Sequence, residues 1–305
     1  MFVPGTVPLR SALPEDGWRD VMLLVCRGHG IPAAGLAPER SGSDVVWGTP
    51  AHVIKMTAPD WREEIEAERD LLVHAGGGQL AVATAAVVGS GTLSGWPYIV
   101  MTRVPGTALS EVWPKLRRDE RLALARDLGK MVAGLHAVPP PPDGRWPEFL
   151  ARQRAGLSER HRDAPGDLCA ALESYVEGTP LPPRDPVLLH TEVLDEHVLL
   201  ERRGGAWHPS GLIDFADGRV GHPFYEFGAL VEFIFLGEPG CLRACLEAYG
   251  CDPASLDEVL SRELFVWYLL HRFGTLSRLL GRDPAFRAGS LDDVRRRFFD
   301  LGPAG

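Results

Sequence analysis

The chain has no apolar run of eighteen residues, so no transmembrane helix is expected. Its first stretch, MFVPGTVPLRSALPEDGW, has neither the basic nor the apolar segment of a signal peptide, and a cytoplasmic location is expected. No CxxC occurs among Cys26, Cys169, Cys241, Cys245 and Cys251, and their number is odd. A disulfide framework and a structural zinc site are therefore not expected, whereas buried free thiols are. Internal repeats and low-complexity tails are absent. So is any excess of positive charge: 32 Lys and Arg stand against 41 Asp and Glu, a net of −9. That balance argues against nucleic acid as a partner and leaves a neutral or cationic small molecule open, although plain solubility accounts for it better.

What is present reads as two regions. The 305 residues suffice for one large or two smaller domains, each with its own core. GWRDVMLLVCRG (17–28) has helical spacing and runs into Gly28 and Gly30. SDVVWG and AHVIKM are β-rich runs joined by a turn sequence, and so predict a hairpin. DWREEIEAERDLLVHAGGG predicts a helix, with acids in its first turns and three glycines after it. LAVATAAVVGSG and WPYIVMTRV predict two more strands. The character changes near Val104–Pro105. RRDERLALARDLGKMVAGLHAV is a long amphipathic helix, and WPEFLARQRAGLSERHRDAPGDLCAALESYVEG supplies one or two more. PVLLH and VLLERRGGAWHPSGLIDF predict strands, with a helical remainder from about Pro223. The expected fold class is α+β: residues 1–103 form a small antiparallel lobe with one main helix, and residues 104–305 a larger, mostly helical lobe.

Certain residues invite chemistry. Lys55 sits inside a strand, where an inward-facing ammonium is costly unless paired, and Glu68 on the next helix can supply the partner. LLHTEVLDEHVLL (188–200) interrupts an apolar run with His190, Glu192, Asp195, Glu196 and His197, more titratable groups than a core strand needs. Asp214, between Ile213 and Phe215 directly after a strand, is placed either to hold a metal ion or simply to make a turn. RSGSDVVWG can form a hairpin tip whose N–H groups approach a phosphate.

In this order and spacing the features resemble the aminoglycoside phosphotransferase family, which shares the protein-kinase-like bilobal fold. VIKMTAPD and IEAERDLLVHA are similar to the family's lysine strand and glutamate helix, WPYIVMTRVPGTAL to its adenine-gripping strand and hinge, and LARDLGKMVAGLHAVP to its long helix. VLLHTEVLDEHVLL lies where the family has His-Gly-Asp, four residues, then Asn, and GLIDFADGRVGHPFYEFG where it has its metal-binding Asp motif. The resemblance implies that Lys55 holds the α- and β-phosphates of ATP, with Glu68 fixing Lys55. It assigns Asp214 to Mg²⁺, backbone groups from Met101 to Arg103 to the adenine, and Ser43 to a phosphate contact. The catalytic Asp maps onto Glu192, and the second metal ligand, Asn, onto His197. His136 and His190 are expected to be structural.

Three positions depart from the family pattern. Glu192 keeps a carboxylate but adds a methylene. His197 offers imidazole to a metal that prefers hard oxygen. His222 stands where the family has Asp, while Glu226 keeps the later acid. An active phosphotransferase, a nucleotide-binding protein without turnover, and a kinase of a non-antibiotic metabolite all stay open. The resemblance makes the acceptor a hydroxyl on a small molecule, foremost an antibiotic (a hygromycin-like aminoglycoside or a nucleoside type), with GTP as an alternative to ATP. No nucleic acid and no membrane are expected as partners, and the chain is expected to be a monomer or homodimer. Glu148, Glu159, Asp163, Asp167, Glu173, Glu177, Asp292 and Asp293 can attract a polycation or be solvated helix faces. Trp113, Trp146, Tyr175, Phe224, Tyr225, Phe233 and Phe235 can line an acceptor site or fill the core.

Overall fold

The computed structural model describes residues 14–39, 44–76 and 80–302. Two compact units emerge. The first takes the described residues of Met1–Gly78 with Ala83–Pro105 and Ile213–Asp217; the second takes the described residues of Gln79–Val82, Gly106–Leu212 and Gly218–Gly305. The short segment carrying Asp214 thus packs with the first unit, although its strand of origin belongs to the second.

In the first unit, α1 (Glu15–Gly28) is followed by strands β1 (Ala37–Pro38), β2 (Val45–Gly48) and β3 (His52–Met56), then α2 (Arg62–Ala75), β4 (Val87–Leu93) and β5 (Trp96–Thr102). The five strands form one antiparallel sheet in the order β1-β2-β3-β5-β4. The expected hairpin is β2–β3, with Lys55 opposite Val46 and also opposite Ile99 of β5. Strand period then decides the faces. Ile54 and Met56 point into a core with Trp18, Met22, Val25 and Cys26 of α1. Lys55 points to the other face. On α2 the buried residues Ile65, Glu68, Leu71, Leu72 and Ala75 recur at helical spacing, so Glu68 shares its stripe with aliphatic residues. Two details differ from expectation. The unit has two helices of 14 residues each rather than one main helix, because α1 supplies one cover of the sheet. The predicted strand LAVATAAVVGSG begins only at Val87, since its alanine-rich first half carries little β preference.

The second unit runs β6 (Thr107–Ala108), α3 (Leu109–Val112), α4 (Arg118–His136), α5 (Trp146–Ala155), α6 (Leu157–Arg160), α7 (Gly166–Glu177), β7 (Val187–Leu189), β8 (Val198–Arg203), β9 (Ala206–Leu212) and β10 (Arg219–Gly221). It continues through α8 (Phe227–Leu230), a π-helical turn at Val231–Phe235, α9 (Cys241–Tyr249), α10 (Glu258–Leu269), α11 (Leu276–Gly281) and α12 (Leu291–Phe298). The stretch 146–178, expected as one or two helices, breaks into three at Gly156 and Pro165. Strands β6, β8 and β9 make one small sheet, and β7 and β10 a two-stranded ribbon. Helices α10, α11 and α12 open on side-chain caps from Asp257, Thr275 and Ser290. Cys241 and Cys245 of α9 are buried and free, as expected for core thiols. Among the described residues, no helix is long and apolar enough to cross a membrane.

Candidate active site

The candidate residues fall into two groups, one in each unit. In the first unit the Lys55 ammonium is 2.9 Å from Asp214 Oδ1, 2.9 Å from Glu68 Oε2 and 3.4 Å from Asp44 Oδ2. It donates a hydrogen bond to Asp214, while the contact with Glu68 lies off a hydrogen-bonding direction and is held by charge. Burial disfavours the Lys55 charge, but the fields of Asp214, Glu68 and Asp44 outweigh it and raise its pKa well above the usual lysine value. Burial raises the Glu68 carboxyl to about 7; Lys55 opposes this, while Asp214 and Asp44 add to it. Three carboxylates thus surround one ammonium.

Asp214 adopts a left-handed backbone, φ 68°. Asp tolerates that region better than most residues, so its side chain can turn toward Lys55 at modest cost. The carboxylate is partly exposed and presents hard oxygens, a donor type that suits Mg²⁺. Among the described residues, no three His, Cys, Asp or Glu side chains converge as a ready-made metal cage.

The backbone expected to hold adenine is partly committed elsewhere. Met101 is buried in β5 between β3 and β4. Thr102 N–H donates to Ala86 O at 2.9 Å, and Arg103 N–H to Ala51 O at 2.8 Å. The Arg103 donor is therefore occupied, and Val104 carries the next backbone N–H before Pro105, which has none. The Arg103 side chain bonds Thr49 O and Glu39 instead, lying over Gly48, where an added Cβ would meet its guanidinium. Ser43 lies outside the described residues.

In the second unit the loop between β7 and β8 carries His190 through His197. Buried Leu188, Leu189, Val193 and Val198 anchor it, leaving Glu192 and His197 only half-buried. His190 N–H donates to Glu226 Oε2 at 2.8 Å. Glu226 is fully buried beside His136 (Nε2 to Oε2 3.4 Å), and His136 in turn meets the Tyr249 hydroxyl at 2.9 Å. Burial raises the Glu226 carboxyl, but the His136 hydrogen bond and the charges of His136 and His190 bring it below the usual value, so it stays ionised. Glu192 N–H reaches His190 Nδ1 at 3.3 Å, and the His197 ring, through Nδ1, donates to Glu192 O at 2.9 Å. His197 thus braces the loop from within, a role that sequence reasoning did not assign. His222 caps the turn at Pro223–Glu226 by accepting from Phe224 N–H, donates to Pro182 O and stacks on Trp267 at 4.3 Å. Burial lowers its pKa to about 4, so a neutral imidazole can occupy a capping position where the resembled family has Asp.

Beside the loop, Arg278 pairs with buried Glu232 and feels the Glu192 charge, and the guanidiniums of Arg278 and Arg282 lie over the half-buried Phe233 ring. The other aromatics divide toward the core: Trp113, Tyr175, Phe224, Tyr225 and Phe235 are buried, and Trp146 stacks among Phe149, Tyr225 and Trp267. Glu148, Glu159, Asp163, Asp292 and Asp293 pair with neighbouring arginines rather than joining in one negative field.

Thr191 and His271 were not foreseen. Thr191 follows the buried His190, has φ 69° and accepts a hydrogen bond from His271 Nε2 at 3.0 Å. No local pattern in YLLHRFG signals that contact, which spans 80 residues.

The sequence matches the phosphotransferase enzyme family over residues 39–259. A lysine-specific demethylase of Arabidopsis thaliana is 23% identical over 204 residues, 51% of this chain and 21% of that protein. Viomycin phosphotransferase of Streptomyces vinaceus is 26% identical over 151 residues, 44% of this chain and 49% of that protein. The matches thus span a fifth to a half of these relatives' length. The solved GDP complex of wild-type aminoglycoside 2'-phosphotransferase-IIIa superposes with a TM-score of 0.67 at 18% identity, covering 93% of this chain and 99% of that one. The α+β, bilobal kinase-like fold of the aminoglycoside phosphotransferases is therefore this chain's fold, and by sequence the chain belongs to the phosphotransferase enzyme family.

Proposed function

We propose that this protein transfers the terminal phosphoryl group of ATP, or of GTP, to a hydroxyl of a small molecule, with antibiotic modification as the setting. The observation that carries the reading is Lys55, placed 2.9 Å from both Glu68 and Asp214 within one unit. A buried ammonium held this firmly has little stabilising purpose, since burying ions costs several kcal/mol each, roughly, before pairing. It suits a task in which positioning and charge stabilisation make up most of the catalysis.

Lys55 would hold phosphate oxygens, and Glu68 would keep Lys55 aimed. Asp214 would ligate Mg²⁺, which supplies charge neutralisation at the phosphates when bound. The imidazole of His197 suits that ion poorly, and its bond to the Glu192 carbonyl supports a bracing role instead. Glu192 would accept the proton of the acceptor hydroxyl; its extra methylene relative to Asp moves the carboxylate outward by about an ångström, on the scale that governs rate. Val104 N–H would meet the nucleotide base. Arg278, whose charge reaches Glu192, disfavours a strongly cationic group at the reacting hydroxyl. A neutral or mildly charged acceptor is thus favoured at that point, a viomycin-type or nucleoside antibiotic as readily as an aminoglycoside.

The test is a panel of hydroxyl-bearing antibiotics of these three classes, with Mg²⁺ and either ATP or GTP, read by mass gain of one phosphoryl group and by ³¹P NMR. Transfer that needs Mg²⁺ and is lost in Asp214→Asn supports the proposal. Tight nucleotide binding without transfer to any panel member, or to a metabolite panel of sugars and amino alcohols, favours the reading without turnover.

A further inference from the structure

The peptide unit between Thr191 and Glu192 is gripped at both ends by histidines. Its carbonyl, Thr191 O, accepts from His271 Nε2 at 3.0 Å, and its N–H, on Glu192, donates to His190 Nδ1 at 3.3 Å. Thr191 is 2% exposed with φ 69°, a left-handed conformation that a β-branched side chain rarely adopts. Glycine takes that conformation freely, and the family that the sequence resembles has glycine here. Rotation about the Thr191 N–Cα bond to a negative φ would return Thr191 to a common conformation, but it would carry this peptide unit, and with it the Glu192 side chain, away from its present direction.

The His271 ring is itself fixed. Phe273 N–H donates to Nδ1 at 3.3 Å, which makes Nδ1 the acceptor and Nε2 the donor. The ring stacks on Tyr225 at 4.6 Å, and the Tyr225 hydroxyl accepts from Arg272 N–H at 2.7 Å. His271 is 4% exposed and Tyr225 1% exposed, so the support is rigid. Strained backbone persists only where its surroundings over-determine it, and here they do.

We propose that His271 is a positioning residue: by holding the Thr191 carbonyl it keeps a non-glycine residue left-handed and so sets the direction of Glu192. This rests on Glu192 as the acceptor base, but the clamp can be tested without that assumption.

The experiment is a cycle of His271→Ala, Thr191→Gly and the double variant, with His271→Gln as a variant that retains an amide donor. Two readouts are taken: hydrogen exchange of residues 188–194 by mass spectrometry, and kcat against nucleotide KM. With Thr191 in place, His271→Ala should speed exchange by about tenfold or more. It should also lower kcat by about 10- to 100-fold with KM within about twofold. His271→Gln should recover part of both. On the Thr191→Gly background the same His271→Ala change should have a much smaller effect on either readout, because glycine takes the left-handed conformation without a steric penalty. Equal losses on both backgrounds would overturn the proposal and leave His271 a packing residue. If the wild-type protein transfers no phosphate, the Glu192 assignment fails, and the exchange cycle alone decides the clamp. If His271→Ala does not fold, the same background comparison with His271→Gln decides it.

Discussion

The Lys55 group and the Glu192 loop are built from similar residue types but held by different forces. Lys55, Glu68, Asp44 and Asp214 gather around one ammonium chiefly through charge, with a hydrogen bond from Lys55 to Asp214. The loop is held by directed bonds from backbone to Glu226, His190, His197 and His271. Charge tolerates small shifts in position, and suits a group that must release one partner to a ligand. Directed bonds fix an orientation, which suits a side chain whose proton acceptance depends on angle. Each set should therefore fail in its own way: the first in stability and pH response, the second in rate.

The largest effect is expected at Lys55. Lys55→Met should leave Glu68 buried without its counter-ion and destabilise the protein by about 3–5 kcal/mol, measured by urea unfolding. Lys55→Met/Glu68→Gln should recover part of that loss, because the most deeply buried of the three carboxyls no longer needs a counter-ion, yet phosphate transfer should stay down by about 100- to 1000-fold. Full recovery of transfer in the double variant would remove Lys55 from the reaction. At the loop, Glu226→Gln replaces a charged acceptor for His190 N–H by a neutral one. A loss of about 1–2 kcal/mol is expected, smaller than at Lys55, with a clear fall in kcat.

The most gradual effect is a pH slope. The Glu68 carboxyl is raised by burial to about 7, so the folded state binds this proton more tightly than the unfolded chain does. The stability it contributes is fully present below the unfolded value near ~4.3 and is lost as pH rises toward 7, with a slope of at most about 1.4 kcal/mol per pH unit. Lys55 stays charged throughout that window, because its pKa is raised. Thermal unfolding from pH 4.5 to 7.5 should show this component in the wild type and not in Glu68→Gln. The same slope in both would place the titration elsewhere.

The two groups also differed in how far the sequence revealed them. The Lys55–Glu68 pair was readable because local rules produce it: a strand of period two turns Lys55 away from Ile54 and Met56, and a helix thirteen residues on carries Glu68 in its buried stripe. The loop was readable as a titratable cluster, but its support was not. His271 reaches Thr191 across 80 residues, and a threonine in isolation signals extended backbone rather than a left-handed turn. The partner of the Arg103 N–H was not readable for a related reason. Alternation of side chains is visible in a sequence, whereas the direction of ladder hydrogen bonds depends on which strands pair, and Ala51 claims the Arg103 donor. Among the acids of the helical unit that a cation could meet, Glu148, Glu159, Asp163, Asp292 and Asp293 have arginine partners that the sequence did not reveal.

The most direct test of the account is steady-state transfer by Glu192→Gln to whichever acceptor the panel identifies, with nucleotide affinity measured alongside. The account predicts a fall in kcat of about 100- to 10000-fold with the nucleotide Kd essentially unchanged, because the loop keeps its clamps while the base is lost. A Glu192→Gln protein that transfers phosphate at near the wild-type rate would contradict it.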